Sequence, residues 1–490
     1  MRQLSQSLAA NLAVLDKMFG TSADYYAKEI TIYHCRGSIL LFDGMASLDS
    51  LWELLLDAAS RQAPPQQAGQ RCTGPQVFEL ILHGSAFPAE SEPVTDLADL
   101  IKRMTAGMAV LLLDGCAKGI AFSVQGLKFR SVDEPSGEGN LRGSREGFAD
   151  LLRVNLSLLR RLIRTEHLVQ EVAQADTEMQ TEYAICYCKN RADSAMVIRV
   201  RKALAAAKPE LLLDSSYFVP WLLPGKARLF TPVSYTERPA VAAAKICEGK
   251  IVVLVNGSPS AMVLPALFCE NFECLDDYAS TAVFSSFLRI LKYVSFYLTV
   301  FLPGVFVCLA VYLPELIPPQ LLYKIEAAEK ATPLPLFAEM LLVILILEVI
   351  REAGLRMPQS LGHSVSLVSA LIIGDAAIAT GLMSTPVIFV ASITAIAVFV
   401  TPGLYEPATL LRIGTVLLAG LAGPVGLAAA FFGFLLSLVS TEALGVPYLA
   451  PHPFPQQPLS EDGVLRRNYR QLSRQGFNIW QKRERGKRRS

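Results

Sequence analysis

Asp375 sits inside the apolar run Leu371–Ile378, where an ionised side chain is costly and therefore informative. An aspartate at the middle of a membrane helix costs about 2.5–3.5 kcal/mol even on the lenient insertion scale, so it is kept where it meets water, an ion or a partner. Two readings stay open. Asp375 faces an ion path, or it pairs with Arg351 or Arg356 and only stabilises a helix bundle. Glu348, Arg351 and Glu352 recur at i, i+3 and i+4, on one helix face where they can pair, with Arg356 one turn beyond Glu352. That spacing predicts a structural ion network. Small residues crowd the stretch before and around Asp375, among them Ser366, Ser369 and Gly374. They let helices approach closely, which suits either bundle packing or a narrow pore lined by several subunits.

Other chemistries find little support. The glycine-rich stretch Gly137-Glu138-Gly139 with Gly143 lacks the spacing and the Lys-Ser/Thr of a phosphate loop, and no strand precedes it directly. Nine cysteines are scattered without a CxxC pair and five histidines are dispersed, so no zinc spacing arises. Most cysteines read as buried thiols in a reducing compartment. No Ser/His/Asp or Cys/His set appears, and His167 and His363, lying among hydrophobes, read as structural. The expectation is a protein that is not an enzyme and uses no cofactor or metal.

The elements that must position these residues fall into two kinds. Up to about residue 290 the charge density is ordinary, and short apolar runs end in turn dipeptides. Ile39–Phe42 runs into Asp43-Gly44, Val110–Leu113 into Asp114-Gly115, and Ile251–Val255 into Asn256-Gly257. Each predicts a strand and a tight turn that needs positive φ, and the recurrence suggests an internal repeat. Ile120–Val124 completes a hairpin with the second. Ala184–Cys188 reads as a further strand. Leu48–Ala59 and Ser194–Ala206 read as helices, and a basic amphipathic helix is expected from about Ser144 through Arg164. Strands alternating with helices predict a soluble α/β region of two subdomains, 1–130 and 131–288.

From 289 to 450 charges are few, which accounts for a whole-chain charged content of 18% against an average near a quarter. Tyr293–Leu313, Ser364–Leu382, Pro386–Val400 and Leu410–Ser440 read as spans of an all-α membrane domain, and Leu336–Ile350 is a span, a re-entrant helix or an interfacial one. Leu410–Ser440 exceeds one crossing, and Gly423-Pro424 predicts a kink or break in it. Four spans, with five as the alternative, are expected, because an even number keeps both ends on one side. The tail, 451–490, is basic, with ten Lys/Arg against three acids after residue 460. Beside membrane spans it reads as a cytoplasmic tail near anionic lipid rather than a nucleic-acid binder. The N-terminus lacks the pattern of a signal peptide, so the soluble region is expected in the cytoplasm.

Four blocks, in order across roughly 130–455, resemble the spore germinant receptor A-subunit family, which includes the stage V sporulation F-type paralogues. The first is Glu134-Pro135 with Glu138, then Arg142-Gly143-Ser144-Arg145-Glu146-Gly147-Phe148, Asn155 and Arg160-Arg161. The second is Thr236-Glu237-Arg238-Pro239 followed by Glu248-Gly249-Lys250-Ile251 and Asn256-Gly257-Ser258-Pro259. The third runs from Arg351 to Pro358 and on to Gly374-Asp375-Ala376-Ala377, and the last is Gly445-Val446-Pro447-Tyr448-Leu449-Ala450-Pro451. Ala240, Gly137 and Asp375 depart from the family pattern, where Asp, Thr/Ser and Glu are usual.

The resemblance implies a subunit of a nutrient receptor in the inner membrane of the spore, with its soluble region on the core side. It implies a homo-oligomeric ring that conducts ions, working with a transporter-like B subunit and a lipoprotein C subunit. An amplifying channel paralogue is the alternative within the family. A secondary transporter with a regulatory soluble domain, or a membrane-anchored scaffold, are the alternatives outside it. On the leading reading Asp375 and its helix face the pore, and Glu237 with Arg238 form a structural ion pair at an interdomain or subunit contact.

Overall fold

The computed structural model describes residues 3–32, 34–46, 73–83, 91–124, 134–135, 137–139, 142–225, 228–356, 376–450 and 463–466. The described residues divide into two compact units, an α/β unit (to residue 225, with 233–265) and a helical unit (228–232 and 266–466).

The α/β unit is a duplication. Its first half runs α1 (Leu8–Phe19), β1 (Tyr25–Ile32), β2 (Cys35–Phe42), α2 (Gly74–His83), β3 (Ser91–Val94), α3 (Leu97–Thr105), β4 (Ala109–Leu113) and β5 (Gly119–Phe122). The second runs α4 (Leu152–Leu162), β6 (Leu168–Gln174), β7 (Glu182–Cys188), α5 (Ser194–Ala206), β8 (Ser234–Thr236), α6 (Pro239–Cys247), β9 (Ile251–Val255) and β10 (Ala261–Leu264). The sheets have the same order, β1-β2-β4-β5-β3 and β6-β7-β9-β10-β8, with antiparallel neighbours throughout. The turns after β4 and β9 are therefore equivalent, and Gly115 (φ +78°) and Gly257 (φ +92°) supply the positive φ that the Asp-Gly and Asn-Gly dipeptides signal. The third similar turn, Asp43-Gly44, follows β2, so it is not part of the repeat.

Both faces of the first sheet are covered, which explains why its strands read as unbroken apolar runs. Ile39, Leu41, Leu111 and Leu113 pack with Val77, Phe78 and Ile81 of α2. Leu40, Phe42, Val110 and Leu112 pack on the other side with Leu15 and Phe19 of α1 and Leu100 and Met104 of α3. One boundary differs from expectation. The helix foreseen from Ser144 begins only at Leu152. Asn155 donates from Nδ2 to the Ala149 carbonyl and accepts from the Ala149 N–H, holding the chain in a capping loop before the first turn. The expected helix Leu48–Ala59 lies outside the described residues.

The helical unit contains α7 (Ala282–Tyr312), α8 (Pro319–Glu329), α9 (Leu336–Arg356), α10 (Thr385–Val398) and α11 (Tyr405–Ser440). Among the described residues two helices, Ala282–Tyr312 and Pro402–Ser440, are long and apolar enough to cross a membrane. Of the other expected spans, Pro386–Val400 is a shorter apolar helix, Leu336–Arg356 is one continuous helix, and Ser364–Leu382 lies largely outside the described residues. The α11 segment does more than kink. In a straight helix Thr415 and Phe434 would stand about 28 Å apart at 1.5 Å per residue. Yet the Thr415 hydroxyl donates to Val300 O at 2.7 Å, while the Phe434 ring lies 5.6 Å from that of Phe301, the next residue of α7. The chain therefore turns back at Gly423, whose φ of 56° and ψ of −134° break the helix. The arms 405–422 and 424–440 both lie along α7. Phe230, Phe268, Phe272, Phe296, Phe434 and Tyr448 form the aromatic core where Ala408 and Leu438, from opposite arms, also meet.

Candidate functional site

The sequence blocks at 134–148 and 236–259 converge in the second half of the α/β unit. Arg238 is buried, at 1% exposure. It donates from Nε to Glu138 O at 2.9 Å and from Nη1 to Ser144 O at 2.7 Å, with Nη2 also on Glu138 O. Glu237 accepts from the Gly137 N–H at 3.2 Å through its carboxylate and from the Phe148 N–H at 2.7 Å through its carbonyl. Glu237 and Arg238 thus act as two clasps on the 137–148 segment, and the ion pair expected between them gives way to these contacts. Thr236 Oγ1 donates to Glu138 Oε2 at 2.9 Å. Burial pushes the Glu138 carboxyl above its ordinary value, offset in part by Thr236, the Glu237 N–H and Arg238.

The remaining motif residues flank this clasp. Glu134 lies 4.0 Å from Arg145, next to Pro135, and Glu146 pairs with Arg161. Gly143 has φ +106°, and Phe148, after Gly147, enters the core of the second half; Arg142 is exposed. The Asn-Gly-Ser-Pro turn is held from the other side. Ser258 Oγ donates to Asp214 Oδ2 at 2.5 Å. Burial alone would raise the Asp214 carboxyl, but the donors Ser216, Ser258 and the N–H of Ser215 prevail and hold it below its ordinary value.

Sequence reasoning missed the link between the two halves. Arg160, fully buried, donates from Nε to Asp24 Oδ2 at 2.6 Å and from Nη2 to Asp24 Oδ1 at 2.9 Å, to Ser22 Oγ and to the Leu168 carbonyl. Its guanidinium lies 4.5 Å from the Phe42 ring centroid. A cavity of about 170 Å³ opens beside Asp24, Asp43 and Arg153. Arg160 was visible as a motif residue, whereas Asp24 carried no local signal.

In the helical unit Glu348 accepts from Arg351 at 3.0 Å and from Arg412 at 3.2 Å. Arg351 also approaches Glu352 at 3.6 Å and lies 3.8 Å from the Tyr405 ring centroid, and Arg356 binds Glu352 at 2.7 Å. Arg412 was overlooked. Its signal is a lone arginine in the run Leu410-Leu411-Arg412-Ile413. Two further buried groups also escaped notice: Glu339 accepts from the Ser384 N–H ahead of α10, and Arg289 binds Asp277 at 2.9 Å. Arg466, within the tail read as lipid-facing, is buried against Tyr278 and donates to the carbonyls of Asp277 and Ser280. At least 463–466 is therefore docked on the helical unit rather than free. Ser366, Ser369, Gly374 and Asp375 lie outside the described residues. The described cysteines are free thiols, and no cluster of metal-ligating residues occurs among the described residues.

A duplicated α/β unit joined to a unit of long apolar helices with buried charges defines a two-part architecture. The model of the Bacillus/Clostridium GerA spore germination proteins matches residues 13–476, and the chain belongs to that family. Spore germination protein KA of Bacillus subtilis is 30% identical over 94% of this chain and 84% of its own length. Spore germination protein B1 of the same organism is 28% identical over 92% of each. Stage V sporulation protein AF of Bacillus subtilis is 28% identical over 88% of this chain and 86% of its own. Among solved structures, the N-terminal domain of the A subunit of the Bacillus megaterium spore germinant receptor GerK3 aligns over 54% of this chain and 97% of its own. That alignment has a TM-score of 0.44 and 22% identity.

Proposed function

We propose that this chain is the channel-forming A subunit of a nutrient-responsive spore germination receptor. The observation that carries the reading is the helical unit of a GerA-family chain, whose apolar helices enclose the charged residues Glu348, Arg351 and Arg412. Ionisable groups inside membrane helices mark ion paths or the contacts that shape them. The turn at Gly423 returns the second arm beside the first. A paired arrangement of this kind gives an even number of crossings within 405–440, and with Leu336–Arg356 counted as a crossing beside the other three spans the total is even, which keeps the chain's two ends on one side, the cytoplasmic side on this reading.

The channel is a homo-oligomer in the inner membrane of the spore, without catalytic function. A transporter-like B subunit and a lipoprotein C subunit complete the receptor. Germinant bound by a partner shifts a closed–open equilibrium by its differential affinity for the two states. Asp375 faces the pore. A second reading is favoured by the 28% identity to stage V sporulation protein AF, namely an amplifying channel that responds to every nutrient. The test is Asp375→Asn in the complete receptor. Changed cation conductance at normal protein level is expected, and unchanged conductance at normal level removes the pore role.

A further inference from the structure

The face of α11 that meets α9 carries a cluster the motif reading did not absorb. Tyr405, Thr409 and Arg412 follow at i, i+4 and i+7, one stripe of the 405–422 arm. Arg412 and Thr409 are 2% and 9% exposed, and the Tyr405 hydroxyl is itself buried. Tyr405 Oη, Thr409 Oγ1 and Arg412 Nε have no hydrogen-bond partner among the described residues. Glu348 engages Arg351 with one oxygen and Arg412 with the other, so it leaves the stripe short of acceptors.

A buried donor left without an acceptor is costly to keep dry, and three stand in one stripe. The hydroxyls and the guanidinium N–H in this position are groups that water can satisfy, and the hydroxyl oxygens can also face a passing cation. Apolar side chains flank the stripe at once, since Ala408 (1% exposed) and Val416 (0% exposed) belong to hydrophobic clusters.

We propose that the seam between α9 and the 405–422 arm is a hydrated vestibule of the ion path, closed in this conformation by the Arg412–Glu348 pair. This rests on the channel reading and adds to it the place where the described helices admit water and the contact that shuts them. Breaking the pair frees the arm, hinged at Gly423, to move from α9. The stripe's hydroxyls then line the opening.

The test uses the full receptor in membrane vesicles made permeable to a charged thiol reagent, with labelling read by peptide mass at Thr409→Cys and, as the control, Ala408→Cys. Labelling at 409 is expected to be at least about ten-fold faster than at 408, since only the first faces water. Arg412→Gln is expected to raise basal cation leak several-fold, and Glu348→Gln to do the same should the first variant fail to accumulate. Equal, slow labelling at 409 and 408 overturns the vestibule whether or not the receptor conducts. Fast labelling with unchanged leak in both variants at normal protein level overturns the closing role. Absence of any receptor-dependent flux from the unsubstituted protein instead overturns the channel reading.

Discussion

Asn11 and Asn155 make the same pair of hydrogen bonds in the two halves of the α/β unit. Asn11 Nδ2 donates to Ser5 O at 2.7 Å and its Oδ1 accepts from the Ser5 N–H at 2.9 Å, while Asn155 repeats this with Ala149 at 2.6 and 2.8 Å. The equivalence extends to the next contact. Asp114 Oδ1 accepts from the Leu8 N–H at 3.1 Å and Asn256 Oδ1 from the Leu152 N–H at 3.0 Å, each satisfying a donor that the first turn of a helix leaves unpaired. Asn11→Ala and Asn155→Ala should each cost about 0.5–1.5 kcal/mol per hydrogen bond lost, because each removes two part-buried bonds to the backbone. Hydrogen exchange in the full-length chain checks this. Each substitution should speed exchange at the start of its own helix and leave the other half unchanged.

The Arg160–Asp24 pair should be the most sensitive polar contact of the unit. Removing one partner leaves a buried charge uncompensated, typically a loss of about 3–5 kcal/mol. Asp24→Asn and Arg160→Met should each lower the unfolding temperature sharply. The double change Asp24→Leu with Arg160→Met should recover part of the loss, which a thermal melt of the three variants would reveal.

Asp214 predicts a pH dependence with a definite sign. Its carboxyl is held below the ordinary value, so the folded state favours the ionised form. The stability it contributes is present above the unfolded value and is lost as pH falls through the folded one. Asp214→Asn should flatten the acid limb of the stability profile and lower stability at neutral pH. Glu138, raised by burial, has the opposite sign, so Glu138→Gln should remove a loss of stability that sets in as pH rises through its titration.

The turn in α11 rests on two close approaches. A Cβ on Gly426 would stand 1.8 Å from the Leu418 carbonyl oxygen, a backbone atom that cannot rotate away. A Cβ on Gly423 would stand 2.7 Å from the Tyr312 ring at a φ that side chains rarely adopt. Gly426→Ala and Gly423→Ala should therefore each cost at least the roughly 1–3 kcal/mol typical of overpacking. Folded yield in detergent should fall for both, while Gly433→Ala, with open space around its Cβ, should match the unsubstituted chain.

How much of this was legible in the sequence varied with how local the cause was. Strands β4 and β9 and their turns could be read because burial on both faces makes continuous apolar runs and positive φ demands glycine. The start of α4 could not, since it depends on Asn155 reaching back to Ala149 after both are in place. Gly423-Pro424 announced a break, but the direction of the second arm is written only in its contacts with Phe301 and Phe296. Glu237 and Arg238 were located as important side chains. Their partners, Gly137, Glu138, Ser144 and Phe148, are remote in sequence, so pairing between neighbours was the natural but mistaken expectation. Arg412 and Asp24 were missed for the same reason, because each gains its meaning from a distant partner.

The measurement that bears most directly on the function is cation release from spores lacking this chain, challenged with a panel of nutrients and then complemented. A receptor subunit predicts loss of release to one nutrient set, restored by the unsubstituted chain, whereas slower release to every nutrient would identify the amplifying channel. Release unchanged for all nutrients would contradict the account.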